Sequence, residues 1–178
     1  MKKVSFNILL SLLATMIFSC QEAIDNLLTF EFDTTNSVTI PSTVALDTPL
    51  SVPTPDVSTS SIQEFETNNV STDNIESVTV KEMTLTITSP DGRTFSFLKS
   101  ISIYIEAEGL DEQLVASKTD IDNTVGTSLE LDTEDTNLAE FLKQDNFNLR
   151  TEVVTDELIT SDTDIDINTT YEVKASLL

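Results

Sequence analysis

The chain has 178 residues, with 31 Asp and Glu against nine Lys and Arg, no His, no Trp and one Cys. This length is enough for one domain of ordinary size. A net charge of −22 repels phosphate backbones and argues against nucleic-acid binding. The absence of His excludes imidazole bases and most zinc or copper sites, and a single Cys cannot form an internal disulfide.

Residues 1–20 have the pattern of a bacterial signal peptide. Lys2 and Lys3 precede an apolar run that ends at Phe18, which is shorter than the roughly 20 residues of a membrane span. Ile17-Phe18-Ser19-Cys20 resembles a lipobox, in which the Cys is acylated and the preceding segment is removed. Phe18 departs from the small or aliphatic residue that is usual there. The resemblance implies lipidation of Cys20, and an ordinary secreted protein is the alternative.

The chain also resembles, in its first twenty residues and its general character, the small uncharacterised lipoproteins common in Bacteroidota. This resemblance implies a signal peptide at 1–19 that is removed, a lipidated tether at 20–26 and a domain at 27–178. Gln21 follows Cys20, where Asp would retain a lipoprotein of the enteric type in the inner membrane. We therefore expect an outer-membrane lipoprotein, and the sequence leaves open whether it faces the periplasm or the cell surface.

Residues 20–80 contain ten acidic residues, no Lys or Arg, and four of the five prolines. Because proline cannot donate to a central ladder, residues 41–62 are predicted to be edge strand and loop. Leu27–Phe32 and Ser37–Ile40 alternate between apolar and polar residues, which predicts strands there. A disordered tether over 21–60 is the alternative.

From residue 76 the two-residue period of β-strands is clear. Met83, Leu85 and Ile87 alternate with threonines, whereas Val78 and Val80 have the opposite phase, so a bulge is predicted at Lys81-Glu82. A turn at 89–92 is followed by alternating apolar residues that predict one half-buried strand, at Phe95, Phe97, Ile101, Ile103 and Ile105.

Further strands are predicted at Gln113–Lys118, Ser128–Asp132 and 147–154. A short helix is predicted at 136–144, with Asn137 and Glu140 as a capping box. Alternation over 164–177 predicts one long final strand. Eight or nine short strands and one helix predict an all-β antiparallel sandwich, immunoglobulin-like or jelly-roll, with a small β-barrel as the alternative.

Few residues are candidates for chemistry. Ser96-Phe97-Leu98-Lys99 matches a Ser-x-x-Lys motif, but lies in predicted strand and lacks the partner motifs. Asp33-Thr34-Thr35 resembles the O-glycosylation acceptor of exported Bacteroidota proteins. Acidic loops offer oxygen ligands for calcium without EF-hand spacing, at Asp120, Asp122 and Asn123, at Asp132, Glu134 and Asp135, and at Asp156, Glu157, Asp162 and Asp164.

These observations predict a non-catalytic, lipid-anchored module of the cell envelope that binds a protein or takes part in assembly. Cys20 is the only site residue assigned, and no catalytic, cofactor-binding or metal-binding residue is. Besides the membrane, the expected partner is an envelope protein with a basic patch, and a glycan is less favoured because the chain has no Trp and two Tyr. A calcium-dependent adhesion module and, more remotely, an enzyme using carboxylates are the alternatives.

Overall fold

A computed structural model describes residues 28–43, 45–54, 57–58, 61–144 and 146–176. The segment predicted to be a signal peptide, Cys20 and Leu27 lie outside these residues. The described strands and helices are β1 Thr29–Ile40, β2 Leu50–Pro53, β3 Val57–Ser58, α1 Ser61–Thr67, β4 Ile75–Ser89, β5 Leu98–Glu106, β6 Gln113–Thr119, β7 Ser128–Glu130, β8 Asp132–Thr133, α2 Ala139–Leu142, β9 Asn146–Thr155 and β10 Thr163–Ala175. None of the described helices has the length and apolar character needed to cross a membrane.

The strands form two antiparallel sheets that enclose one apolar core. The first sheet has the order β1-β10-β4-β7, and the second has the order β2-β9-β5-β6-β8, with β3 also paired to β9. The first strand pairs with the last, β2 with β9, β4 with β7 and β5 with β6, so the pairs are nested. Nested pairing of this kind is the jelly-roll arrangement, whereas an immunoglobulin domain has its first and last strands in different sheets. The predicted sandwich is confirmed, and the barrel alternative is wrong.

The core is formed by the inward residues of the alternating strands. Along β10 every second residue from Thr163 to Ala175 is buried, as the alternation predicts. Met83 and Leu85 on β4 and Ile101 and Ile103 on β5 are at most 1% exposed. Each such side chain contributes about 1.5–3 kcal/mol relative to the exposed state. The core therefore lies between the two sheets along most of their length.

The bulge predicted in β4 is present. Glu82 lies opposite Thr170 and Val80 lies opposite Tyr171, so Lys81 is the extra residue in the pairing with β10. Because one extra residue reverses the phase of a strand, the apolar side chains on both sides of the bulge face the core.

The N-terminal strand is longer than predicted. The sequence predicts separate segments at Leu27–Phe32 and Ser37–Ile40, but Thr29–Ile40 form one strand, β1, which pairs with β10 along its whole length, and Leu27 lies outside the described residues. A disordered tether is therefore wrong for residues 29–40. The short strand β2 is at the edge of the second sheet and ends at Pro53, as proline requires.

Two local predictions need correction. Phe95–Phe97 form a 3-10 turn rather than strand, and both phenylalanine rings are buried beneath it. The helix predicted at 136–144 is confined to α2 and lacks the capping box. Asn137 instead accepts hydrogen bonds from the backbone N–H groups of Val78, at 3.1 Å, and Ala139, at 3.0 Å. Its side chain thus joins α2 to β4.

Helix α1 lies partly in a segment predicted to be loop. Its Phe65 is fully buried, and the ring centroid lies 6.4 Å from that of Phe30 and 5.9 Å from that of Phe32. Ser61 donates a hydrogen bond to the carbonyl of Leu142 at 3.1 Å, which ties α1 to α2. The two helices cover the core at one end of the sandwich.

Candidate functional site

The sandwich has two different ends. Four connections between the sheets lie together at what we call the loop end, at residues 41–49, 90–97, 120–127 and 156–162. The opposite end, called the tether end, contains α1, α2, the start of β1 at Thr29 and the end of β10 at Ala175. Binding residues are often found on loops that a rigid scaffold holds, so the loop end is the first candidate site.

Hydrogen bonds hold these four connections against one another. The N–H of Asp47 donates to the carbonyl of Thr155 at 2.8 Å, and the N–H of Phe95 donates to the carbonyl of Gly126 at 2.9 Å. The N–H of Asp156 donates to the carbonyl of Phe97, and the N–H of Ile121 donates to the carbonyl of Lys99, both at 3.2 Å. The loop end is therefore one connected surface rather than four independent loops.

This surface combines exposed leucine with carboxylates. Leu158 is 71% exposed and Leu46 is 41% exposed, and they are the two large apolar side chains that the described residues leave exposed. Lys99 donates to Asp47 at 2.7 Å, and this hydrogen bond, with the nearby charges of Asp156 and Asp120, raises the pKa of Lys99. Three acids from three connections thus surround one ammonium group.

The loop end contains a shallow concavity of about 300 Å³. It lies between the 90–97 connection and Glu157. The Arg93 guanidinium lies 5.9 Å from the centroid of the Phe97 ring and donates to the Ser161 hydroxyl at 3.1 Å. Ser96 accepts a hydrogen bond from Thr94 at 3.1 Å. Because the Lys99 ammonium is engaged by Asp47, the geometry gives no support to the Ser-x-x-Lys motif.

Most of the positive charge in the described residues is neutralised locally, and Arg93, which donates to the Ser161 hydroxyl, is the exception. Each of the five described lysines is within 3.3 Å of a carboxylate oxygen, and Arg150 pairs with two glutamates. The lysine pairs are Lys81–Glu31, Lys99–Asp47, Lys118–Asp132, Lys143–Glu140 and Lys174–Glu172. The many remaining acids therefore set the sign of the surface potential.

Two of the acids considered as calcium ligands, Asp122 and Asp162, accept hydrogen bonds from loop residues. The described residues contain no group of three or more acidic, His or Cys side chains that could hold a metal ion. Asp122 accepts hydrogen bonds from the hydroxyl and N–H of Thr124, both at 2.7 Å, which lower its pKa. Asp162 accepts hydrogen bonds from the N–H of Ser42 at 2.8 Å and from the Ser42 hydroxyl at 2.9 Å, and these two bonds lower the pKa of Asp162.

The outer face of the first sheet carries a ladder of hydroxyl–carboxylate pairs between β1 and β10. The hydroxyls of Thr39 and Ser37 donate to Asp164 and Asp166 at 2.7 and 2.8 Å. The ladder continues with Thr35–Asn168 at 3.0 Å and Thr170–Asp33 at 2.7 Å. Thr34 belongs to the segment that resembles an O-glycosylation acceptor. Its side chain points to the inner face of the sheet, and its hydroxyl is buried there.

Arg150 is the centre of a network on the outer face of the second sheet. Its guanidinium makes two hydrogen bonds to Glu112, at 2.5 and 3.0 Å, and one to Glu152 at 3.2 Å. It also lies 4.2 Å from the centroid of the Tyr104 ring. These contacts raise the pKa of Arg150 and lower that of Glu112, and they join β5, β9 and the loop before β6.

Glu112→Gln is expected to destabilise the domain at neutral pH but not in acid. The hydrogen bond from Arg150 lowers the pKa of Glu112 in the folded state below its ordinary value of 4.5. The stabilisation is therefore complete above the unfolded pKa and is lost as the pH falls through the folded pKa. Urea midpoints at about pH 7 and about pH 3 measure this difference. Glu130→Gln, at an exposed position of β7, is the control, and an effect of Glu112→Gln that is equal at both pH values would contradict the role of this pair.

A second concavity of about 570 Å³ lies at the tether end, where β5 ends and β9 begins. Its lining is mostly polar, with Glu106, Ala107, Glu108, Gln144, Asn146, Phe147 and Asn148. The Phe147 ring is only 3% exposed, so it offers little surface for stacking against a ligand.

No protein-family model matches the chain, and no curated protein matches it. Among solved structures it is similar to one of Desmodium yellow mottle tymovirus, at 12% identity over 84% of both chains, with a TM-score of 0.28. It is also similar to the three-dimensional structure of Cocksfoot mottle virus, at 11% identity over 83% of this chain and 85% of that one, with a TM-score of 0.26. Similarity at this level carries no functional argument, and the fold assignment depends on the strand order.

Proposed function

We propose that the chain is a non-catalytic, lipid-anchored module of the bacterial outer membrane that binds an envelope protein through its loop end. The observation that carries this proposal is the exposed Leu158 within an acidic surface that hydrogen bonds hold together. Protein-binding surfaces have an apolar centre with a polar rim, and the two exposed leucines of the loop end, Leu46 and Leu158, with the acids around them would supply both.

The charges at the loop end favour a basic partner. Asp156, Glu157 and Asp162 are in the same connection as Leu158, where they outnumber Arg93, and Lys99 is already paired with Asp47. A partner surface with an apolar pocket surrounded by Lys or Arg would complement both features. Binding of this kind weakens as the salt concentration rises, because the acidic rim is exposed to solvent.

The direction of β1 is compatible with an anchor at Cys20. Eight residues lie between Cys20 and Thr29, where β1 begins at the tether end. An extended segment of this length spans at most about 30 Å, and β1 then covers about 36 Å more before it reaches the loop end. An anchor at Cys20 would thus leave the loop end accessible to other envelope proteins.

A photo-reactive amino acid at position 158 tests the proposal in a lipoprotein-processing bacterium that supplies the partner. We expect irradiation to give a discrete protein adduct, which mass spectrometry identifies and whose yield falls with added salt. The matched control has the same amino acid at position 66, which is exposed on α1 at the tether end. Equal adducts at both positions, or none at position 158, would contradict binding through the loop end.

The same cells test the anchor. Labelled palmitate should be incorporated into the unsubstituted chain and not into the Cys20→Ala variant, and only the former should partition into membranes. Retention of label in Cys20→Ala would show that Cys20 is not the lipidated residue.

A further inference from the structure

We propose that β1 is a self-association edge, at which two copies of this chain pair antiparallel across a two-fold axis through Thr35. Two four-stranded sheets would then become one sheet of eight strands. This inference does not depend on the loop end, because it concerns the opposite side of β1 from its partner β10.

The five edge strands of the described sandwich differ in length. Strands β7, β8, β2 and β3 have three, two, four and two residues, and β2 ends in proline. Short edge strands and proline are devices that prevent pairing with another chain. By contrast, β1 has 12 residues and contains no Pro, Gly, Lys or Arg. In the described residues, its ladder pairing is with β10 alone.

The middle of β1 also contains a polar group without a partner. The side-chain Nδ2 of Asn36 is buried and forms no hydrogen bond within the described residues. Six buried threonine hydroxyls of the described residues also lack a partner, and Asn36 contributes the one amide nitrogen among these groups. Thr34 is two residues away on the same inward face, and its hydroxyl oxygen has two lone pairs that can accept hydrogen bonds.

A two-fold axis through Thr35 brings these two residues together twice. In that register Asn36 of each copy lies directly opposite Thr34 of the other, at a Cβ separation of about 4.5–5.5 Å. Each orphaned amide then gains an acceptor. Shifting the register by two residues places Asn36 opposite Phe32 or opposite itself, so the central register is the one that pairs it with Thr34.

The rest of β1 is compatible with the same register. On the inward face, Phe30 lies opposite Ile40 and Phe32 opposite Val38, so apolar residues meet apolar residues. On the outward face, Glu31 lies opposite Thr39 and Asp33 opposite Ser37, so no two carboxylates are directly opposed. A hydroxyl beside a carboxylate is the same combination that joins β1 to β10.

Cysteine cross-linking tests the register. In Thr35→Cys the two thiols would face each other across the axis, so we expect a disulfide-linked dimer after mild oxidation. In Thr39→Cys they would be about 26 Å apart, and we expect no dimer above background. Both positions are exposed on the same strand, and both hydroxyls bond to β10. The processed full chain in detergent is the sample, and the chain without added cysteine measures the background from any molecules whose Cys20 thiol is not lipidated.

A mixing experiment gives an independent test. Asp33→Cys and Ser37→Cys should each form few dimers alone, because each position lies opposite the other one in the second copy. Mixed together, they should form a heterodimeric disulfide. Equal cross-linking of Thr35→Cys and Thr39→Cys, or no heterodimer on mixing, would overturn the proposed register.

The strength of association distinguishes this surface from the loop end. Because each copy is strongly acidic, added salt should strengthen self-association, the opposite of its effect on a basic partner. Asn36→Val should lower the association constant about ten-fold or more, since two symmetric hydrogen bonds are lost, whereas Ser128→Val on the edge strand β7 should not change it. A chain that sediments as a monomer at about 100 μM in high salt would overturn the proposal.

Discussion

Ile103→Asp should unfold the domain. Ile103 is fully buried at the centre of β5, opposite Ala116 on β6 and Thr151 on β9, neither of which offers a positive charge. An unpaired carboxylate in this position costs several kcal/mol, whether it stays charged or takes up a proton. Because domains of this size have total stabilities of about 5–15 kcal/mol, the native fraction should be largely lost. Far-ultraviolet circular dichroism and urea titration of residues 21–178 would measure this.

The control for this prediction is Ser100→Asp, on the same strand and the opposite face. Ser100 is partly exposed and lies opposite Thr119 and Val154, so a new carboxylate remains in water. Its effect should stay within about 0.5 kcal/mol. Ser102 is less suitable, because it lies opposite Glu152 and two carboxylates would repel each other there. Similar losses for Ile103→Asp and Ser100→Asp would show that the faces of β5 are wrongly assigned.

Phe65→Ala should destabilise the domain by about 3–5 kcal/mol, the range for a buried phenylalanine replaced by alanine. The ring is fully buried and makes edge-to-face contacts with Phe30 and Phe32, so its removal leaves a cavity between α1 and β1. The urea midpoint should fall while the dependence of stability on urea stays the same, since the same surface is exposed on unfolding.

Glu66→Ala, one residue further along α1, provides the comparison. Its side chain is exposed, and alanine is a good helix former, so its stability should be close to that of the unsubstituted chain. If Phe65→Ala had an equally small effect, α1 would not be part of the cooperative core. The test is informative because this helix was not predicted from the sequence.

The sequence predicts the faces of strands well because alternation reports burial directly. The odd positions of β10 and the phase reversal at Lys81 could both be recognised from the order of apolar and polar residues. Alternation does not report which strands are neighbours. The choice between jelly roll and immunoglobulin-like sandwich depends on the pairing of β1 with β10, between residues more than a hundred positions apart.

The errors have local causes. Four prolines suggested loop over 41–62, although Ile62 and Phe65 at a spacing of three and Ser61 with Glu64 could have indicated α1. At the loop end, Leu158 and Ile159 look alike in sequence, yet one is 71% and the other 5% exposed. Exposure at the loop end depends on how the connections pack against one another. A periodic pattern of apolar and polar residues carries no information about that packing. The acidic clusters were visible, but their hydrogen bonds to neighbouring Ser and Thr were not.

The position of β1 also has a mechanical consequence. If Cys20 is held in a membrane and a partner pulls at the loop end, the force acts along the axis of β1, from Thr29 towards the membrane. Interstrand hydrogen bonds in an antiparallel pair are perpendicular to the strands, so this load shears all twelve β1–β10 residue pairs together. A pull on Ala175, at the C-terminal end of β10, while the loop end is held in place would also shear β10 against its neighbouring strands. A force applied across the strands would instead peel the pairs apart one at a time. If the chain is anchored and bound in this way, tension between membrane and partner would act along the direction in which the β1–β10 pairing resists best.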